Sequence, residues 1–437
     1  MSRATDAFAA TRGPCVLLES SAARSPYARR TILGRGPRAV LVADESGLRV
    51  ATASEGPRRV PGDALTALRA LLRDVRPGRW PDEGGIAGAL AYDAARPGRG
   101  ASTPRLIAFA FDRFTVEEDG ETTAGSDDGG PCPWVDALLP PVTAAPEPPP
   151  PAPIDLARWS NLDRAGHRRL VGIIKEHIAA GDIYQANLSQ RFDLPWALGG
   201  LPLYDALRKV SPAPFAGYLR AGGVEIVSAS PERLLSVIDG VATTRPLAGT
   251  RARSSDPAAD RALADELLLS EKERAEHLML VDLARNDLGR VAEIGTVTVD
   301  ELMVVEAQSH VRHIVSNVTA RLRPGADPLD ALAAVFPGGT ITGVPKIRCM
   351  EILDRVEPAP RGFYTGALFY LTPSGRLDAN ILIRSAVVHG GRVVFHAGGG
   401  IVADSDPDRE YEETLHKAQG MKLALEEVLY SPPCRGD

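Results

Sequence analysis

The run "LLPPVTAAPEPPPPAPIDLA", residues 138–157, most limits what this chain can build. Proline at eight of its twenty positions removes backbone donors and fixes φ, which excludes both a helix interior and a sheet interior. An extended, poorly ordered surface linker over 137–157 is expected, with a first section at 1–136, a second at 158–430 and a tail at 431–437. A single core stops growing near roughly 250–300 residues, so 437 residues imply two cores or one large layered domain.

Before the linker, "PCVLLES", "RAVLVADESGLRVATASEG" and "PRLIAFAFDRFTVEEDG" read as strands with turns between them, and "GDALTALRALLRDV" has helical spacing. After it, "NLDRAGHRRLVGIIKEHIAAGD" puts Leu170, Ile173 and Ile174 on one helical face and stops at Gly181. "IYQANLSQRFDL" alternates as a strand does, and "GYLRAGGVEIVSASPERLLSVIDGVATTRP" reads as strands in succession. "ALADELLLSEKERAEHLMLVDLARNDLG" is helical, with Ser270 and Glu273 spaced as a capping box that starts a second helix. "GALFYLT", "NILIRSAVVH" and "RVVFHAGGG" are strand-like, and a helix closes the chain from about Arg409 to Val428. No βα unit repeats at constant length, so the expected class is α+β with large sheets, not an eightfold barrel.

A formal net charge of -6 lacks the basic field of a nucleic-acid binder. No window approaches the ~20 apolar residues of a membrane span, and "MSRATDAFAATRGP" is not built as a signal peptide, so a cytoplasmic protein is expected. Cys15, Cys132, Cys349 and Cys434 are scattered and suggest reduced, inert thiols.

Two helices carry carboxylates at one spacing: Glu273 with Glu276, and Glu410 with Glu413, the latter followed by Lys417 a turn later. Four such oxygens suit a hard cation such as Mg²⁺ held partly through water. Glu273 as a cap and Glu413 with Lys417 as an i,i+4 pair are the plainer alternatives. "FPGGTITGVPK" offers glycine-rich backbone around Thr340 and Thr342 before Lys346, and Gly398, Gly399 and Gly400 form a second run. Arg384 lies inside the apolar strand "NILIRSA", where a buried guanidinium needs an anionic partner such as a substrate carboxylate.

His313 shares a strand face with Val311 and Val315, which fits a satisfied core histidine or an active group. His310 falls on the opposite face. Glu232, after Ser230-Pro231, interrupts a strand and points inward or to solvent. Gln185, Asn187, Ser189 and Arg191 share one strand face, exposed or lining a pocket, and Gln185 can orient a nucleophile but not act as a strong base. "TTRPLAGTRARSSD" places Arg245, Arg251 and Arg253 around a turn at Pro-Leu-Ala-Gly-Thr with Ala248 at its centre.

Taken together, "GDIYQANLSQRF", "SPERLL", "RPLAGTRAR", "EKERAEHLMLVDLARNDLGRV", "VRHIVSNV", "FPGGTITGVPKIRCMEILDRVEP", "NILIRSA" and "HAGGGIVADSDPDREYEETLHKA" resemble the chorismate-utilising enzymes. The first section, through "CVLLESSAARSPYARRTILG" and "GGIAGALAYDAAR", resembles their smaller amino-terminal part. The resemblance implies an α/β sandwich of two large antiparallel sheets with the active site between them. It implies Mg²⁺ held directly by Glu276 and Glu413 and through water by Glu273 and Glu410. Arg384, Tyr364 and the backbone of Gly398 to Gly400 would then hold the enolpyruvyl carboxylate, with Thr340 and Lys417 near the ring carboxylate. Glu232 would be the general acid for the C4 hydroxyl and His313 the histidine beside the ring.

Gln185 stands where water-adding members carry lysine, which implies amination, with ammonia supplied by a separate glutamine amidotransferase subunit. Asn187 and "FPGGTITG" resemble the aminodeoxychorismate synthase large subunit, which serves 4-aminobenzoate and folate synthesis. Ala248 replaces the lysine of many such enzymes and matches the anthranilate synthase branch, which is the alternative product; "LLES" resembles a tryptophan-binding element found in both. A scaffold without chemistry is the remaining alternative, and it predicts lost acid or metal residues, whereas Glu232, Glu276, His313 and Glu413 are present.

Overall fold

A computed structural model describes residues 7–8, 10–21, 30–75, 83–95, 103–118, 121–123, 130–139, 147–253, 256–307 and 311–430. His310, Cys434 and residues 140–146 of the proline run lie outside them, as does the side chain of Arg251.

Two antiparallel sheets dominate. The first has ten strands in the order Gly343–Val344, Gln185–Pro195, Arg392–Ile401, Ser385–His389, Val224–Ser230, Phe215–Ala221, Cys15–Glu19, Arg30–Arg35, Phe114–Glu118 and Glu121–Thr122. The second, of twelve, runs from Leu247–Ala252 through Val311–Arg321, Val241–Thr244, Arg233–Ile238, Leu377–Asn380, Ala367–Leu371, Gly85–Leu90, Leu106–Phe111, Ala39–Asp44 and Gly47–Thr52 to Arg58–Arg59; Thr298–Ala307 pairs with Val311–Arg321 off this path. Strands from before residue 136 and after 158 thus share both sheets.

Side-chain alternation sorts the residues into layers. Val16, Ile32, Val40, Val42, Phe109, Leu219 and Leu368 meet between the sheets. Their neighbours Leu17 and Leu33 face outward, onto helices Gly200–Val210 and Pro407–Tyr430. Leu41 and Ala108 face the other way, onto helices Ala64–Arg73, Glu271–Gly289 and Pro328–Val335. The result is helix, sheet, sheet, helix, with each sheet apolar on both faces.

Most predicted elements stand, with three corrections. Helix Arg164–Ala179 buries His167, Val171 and Ile174, whereas Ile173 is exposed, because the contact stripe follows i, i+4, i+7. "PLAGTRA" is not a turn: Leu247–Ala252 is a strand paired with residues 311–315 of strand Val311–Arg321, and a bulge at Gly249, φ +61°, takes up the extra residue. The described part of the linker is extended but pinned, with Ile154 buried, its N–H donating to Glu426 Oε1 at 2.7 Å, and Tyr430 Oη donating to Pro150 O at 2.5 Å.

Two segments pass from one sheet to the other side by side. Residues 231–232 link Val224–Ser230 to Arg233–Ile238, and residues 381–384 link Leu377–Asn380 to Ser385–His389. Ile381 N–H donates to Glu232 O at 3.0 Å and Ala229 N–H to Arg384 O at 3.1 Å, so the two crossings brace each other.

Candidate active site

Both crossings carry a polar residue that the sheets could not place otherwise. Glu232 is 4% exposed, and its carboxyl accepts from Thr340 Oγ1 at 2.8 Å. Burial pushes its pKa up to about 8, against smaller opposing effects from Thr340 and the backbone N–H of Leu247. It is therefore a carboxylic acid holding a proton near neutral pH.

Arg384 corrects an expectation: it is not buried within a strand. It lies between two strands at φ +50°, and its side chain is exposed. The left-handed backbone turns it out of both ladders and toward an open wall. Surrounding protein still disfavours its charge, and its guanidinium has no hydrogen bond or ion pair among the described residues. A cation so placed is suited to an anion brought by a ligand.

Tyr364, 7% exposed, approaches from the turn after Arg361, where Thr365 N–H donates to Leu382 O at 2.8 Å. A Cβ added to Gly398 would lie 2.9 Å from both Tyr364 Oη and Asn187 Oδ1. One on Gly400 would strike Gln185 Nε2. These glycines thus keep the strand open beside three polar groups. Asn187 Oδ1 and Gln185 Oε1 are buried with no hydrogen-bond partner among the described residues. Ser189 and Arg191 leave the group: Ser189 donates to Glu357 and Arg191 to Asp193.

The carboxylates converge from two helices. Gln185 Nε2 donates to Glu276 Oε1 at 2.8 Å. Burial, together with Glu273 and Glu413, raises the pKa of Glu276 above the usual carboxylate value, outweighing Gln185 and Lys272. Glu413 pairs with Lys417 at 2.7 Å, and Lys417 also donates to Gly398 O at 3.0 Å. A Cβ on Gly399 would lie 3.3 Å from Glu413 Oε1 and 3.4 Å from Glu410 Oε2, and that Glu410 oxygen is buried without a hydrogen-bond partner among the described residues. Glu273 reaches toward Gly249, its Oε2 2.8 Å from a Cβ built there, while Ser270 Oγ caps the Glu273 N–H at 3.3 Å.

No three described His, Cys, Asp or Glu side chains converge as a closed metal cage. Hard oxygens, mutual repulsion and room at Gly399 nonetheless fit a divalent cation that keeps several waters and accepts a substrate oxygen.

His313 is 4% exposed, its Nδ1 3.2 Å from Gly249 O, and burial lowers its pKa to about 4, so the ring is neutral. Ala248, 8% exposed, precedes that bulge. The glycine-rich "FPGGTITGVPK" is not an anion cradle as a whole: Thr342 Oγ1 donates to Gly338 O at 2.8 Å and Lys346 is buried against Asp287. Thr340 is the member that faces the site. Sequence reasoning missed two supports, the His277 Nε2 to Ser316 Oγ contact of 2.6 Å and the buried Glu357–Arg361 pair, whose Arg361 also donates to Asn187 O at 2.6 Å. The first and the Arg361–Asn187 bond join segments far apart in sequence, and only the local E-x-x-x-R spacing hinted at the second.

Among the described residues no helix is long and apolar enough to cross a membrane, and Cys15, Cys132 and Cys349 form no disulfide. Burial pushes Cys15 and Cys349 up to about 12.

Residues 13–423 match the chorismate binding enzyme family. The chain is 49% identical over 269 residues to anthranilate synthase component 1 of Geobacillus stearothermophilus, covering 62% of this chain and 53% of that one. It thus spans about half the length of such curated relatives. It is 42% identical over 412 residues to anthranilate synthase component 1 of Streptomyces coelicolor, covering 85% and 80%. The crystal structure of anthranilate synthase component I from Streptococcus pneumoniae superposes with a TM-score of 0.77 at 31% identity, over 92% of this chain and 93% of that one. A putative 2,3-dihydroxybenzoate-specific isochorismate synthase from Bacillus anthracis shares the fold, with a TM-score of 0.70 at 24% identity, over 97% and 99%. The relatives bear the anthranilate name rather than the aminodeoxychorismate name expected from Asn187 and "FPGGTITG". With its antiparallel double sheet and a family match running from residue 13 to residue 423, the chain belongs to the chorismate binding enzyme family.

Proposed function

We propose that this chain aminates chorismate at C2 with loss of the C4 hydroxyl and of pyruvate, giving anthranilate, as the synthase component of a two-part enzyme. The observation that carries this reading is Ala248. Its methyl group stands one residue before the bulge that holds His313, so no amine is available there to attack C2 in place of ammonia. The names of the relatives support the same branch. Asn187 Oδ1, buried and unpaired beside Tyr364, favours a second reading, amination at C4 to aminodeoxychorismate.

In either reading Glu276 and Glu413 would hold Mg²⁺, with Glu273 and Glu410 ordering its waters. The ion would supply charge for the ring carboxylate. Arg384 and Tyr364 hold the enolpyruvyl carboxylate at the opposite end, which fixes the ring between the sheets. Glu232 gives its proton to the departing hydroxyl, and Thr340 steadies the carboxylate that results. Gln185, neutral and bonded to Glu276, orients the nucleophile without activating water. Ammonia would come from a separate glutamine amidotransferase subunit, in the cytoplasm.

The test is loss of chorismate by the purified chain. Consumption that requires both Mg²⁺ and ammonium supports the reading, and an untouched substrate with parental binding by Glu276→Gln removes it.

A further inference from the structure

Glu232 must regain a proton after every turnover, yet its visible approaches are the substrate side and the protein interior. On the interior side lies a small cavity of about 30 Å³, lined among others by Glu232, Thr340, Thr244, Leu283 and Asp287. That volume suffices for one water, which requires two to four polar partners. Behind it opens a groove of about 930 Å³, and Leu283 and Asp287 line this groove too, with Lys346 and Arg290.

The groups between the two spaces are charged and buried. Lys346 Nζ lies 2.5 Å from Asp287 Oδ2 and 2.8 Å from Val335 O, and the side chains of both residues are less than 10% exposed. Arg290 stands 3.6 Å from the other Asp287 oxygen and also donates to Ala334 O. Arg233, which lines the cavity as well, is engaged with Asp378 at 2.8 Å. Burial raises Asp287 and lowers Lys346, so both are pushed toward the neutral pair and the proton between them is easily shared.

We propose that Lys346, Asp287 and the cavity form a proton route from the groove to Glu232, on the side away from substrate. The idea rests on Glu232 being the acid. After Glu232 has given its proton to the leaving hydroxyl, the cavity water passes one proton to the Glu232 carboxylate and takes one from the Asp287 carboxyl. The Lys346 amine of the neutral pair then takes a proton from solvent in the groove, and the resulting ammonium passes it to the Asp287 carboxylate, which restores the carboxyl and the amine. One proton enters per turnover, no other bond changes, and the proton shed by the incoming nitrogen leaves by the substrate side. Asp287 and Lys346 touch neither substrate nor metal ligand and act only through Glu232, as positioning and relay residues.

The experiment compares first-turnover and steady-state rates in the purified chain with Mg²⁺, ammonium and chorismate. Replacing the pair together, Asp287→Leu with Lys346→Met, avoids a buried unpaired charge. Its first turnover should stay within about 2-fold of the parent, because Glu232 starts protonated, while steady-state kcat falls at least about 10-fold and recovers as imidazole buffer is raised. Should that variant fail to fold, Ala284→Leu fills the cavity with the charges intact and should give the same split. Parental steady-state rates, or first-turnover and steady-state rates falling together without recovery, overturn the route. Glu232→Gln separates the two ideas: a normal first turnover there removes Glu232 as the acid, whereas its loss beside a parental pair variant removes only the route.

Discussion

Thr340 Oγ1 donates to Glu232 Oε1 at 2.8 Å, joining the glycine-rich segment after helix Pro328–Val335 to the crossing between the two sheets. The bond favours the carboxylate, but burial outweighs it and leaves Glu232 protonated up to about pH 8. Activity should therefore fall as pH rises through about 8, and Thr340→Val, which removes a bond to the ionised form, should move that limb upward. Glu232→Gln should lower kcat by roughly 10²- to 10⁴-fold. The folded form binds the proton more tightly than the ordinary value of 4.5, so stability is full below about 4.5 and is lost as pH rises through about 8. Denaturant titrations across that window should show the decline in the parent and a flatter profile in Glu232→Gln.

Arg384 and Arg361 make opposite predictions from similar chemistry. Arg384 has no partner to lose among the described residues, so Arg384→Ala should leave stability within about 0.5 kcal/mol. It should raise KM for chorismate roughly 10- to 100-fold, in line with about 1.5–3 kcal/mol for hydrogen bonds to a charged group. Arg361, 3% exposed and 2.8 Å from Glu357, leaves a buried carboxylate behind when removed. Arg361→Ala should cost about 3–5 kcal/mol of stability. Thermal melts and saturation kinetics on the two variants check both.

The carboxylates on the two helices repel one another when no cation is bound: burial first, then Glu273 and Glu413, hold the pKa of Glu276 above the usual carboxylate value. Glu276→Gln should thus melt no lower than the parent in chelator. The parent should gain about 2.7 kcal/mol in Mg²⁺ at 100 times its Kd, and Glu276→Gln should lose that gain. Melting with and without Mg²⁺ reads the difference without any assay of turnover.

Ala248→Lys should place an amine beside Gly249 and His313. Incubated with chorismate, this variant should retain a covalent adduct visible by intact-protein mass spectrometry. Parental activity without an adduct would mean that position 248 does not face the ring.

Much of the site was legible because its residues sit in local patterns. Glu273 with Glu276 and Glu410 with Glu413 need only helical periodicity, and Gln185 with Asn187 only the alternation of a strand. Arg384 was misread because apolar residues at 381–383 and 386–388 flank it, and such a run gives no sign of where it leaves one sheet for the other. The segment around Ala248 was misread for a related reason: Gly249 and proline suggest a turn, and only the partner strand Val311–Arg321 makes the glycine a bulge. The strands Arg30–Arg35 and Gly85–Leu90 were not assigned, the latter because two glycines dilute its signal. Gly88 is required there, since a Cβ would strike Ile107 O on the neighbouring strand. Lys346 with Asp287 and Thr340 with Glu232 are long-range pairs, set by packing rather than by spacing.

The product formed from chorismate tests the central claim most directly. Purified chain supplied with Mg²⁺, ammonium and chorismate should yield fluorescent anthranilate, confirmed by mass, with no second enzyme added. Appearance of 4-aminobenzoate only after aminodeoxychorismate lyase is added, with no anthranilate, would contradict it.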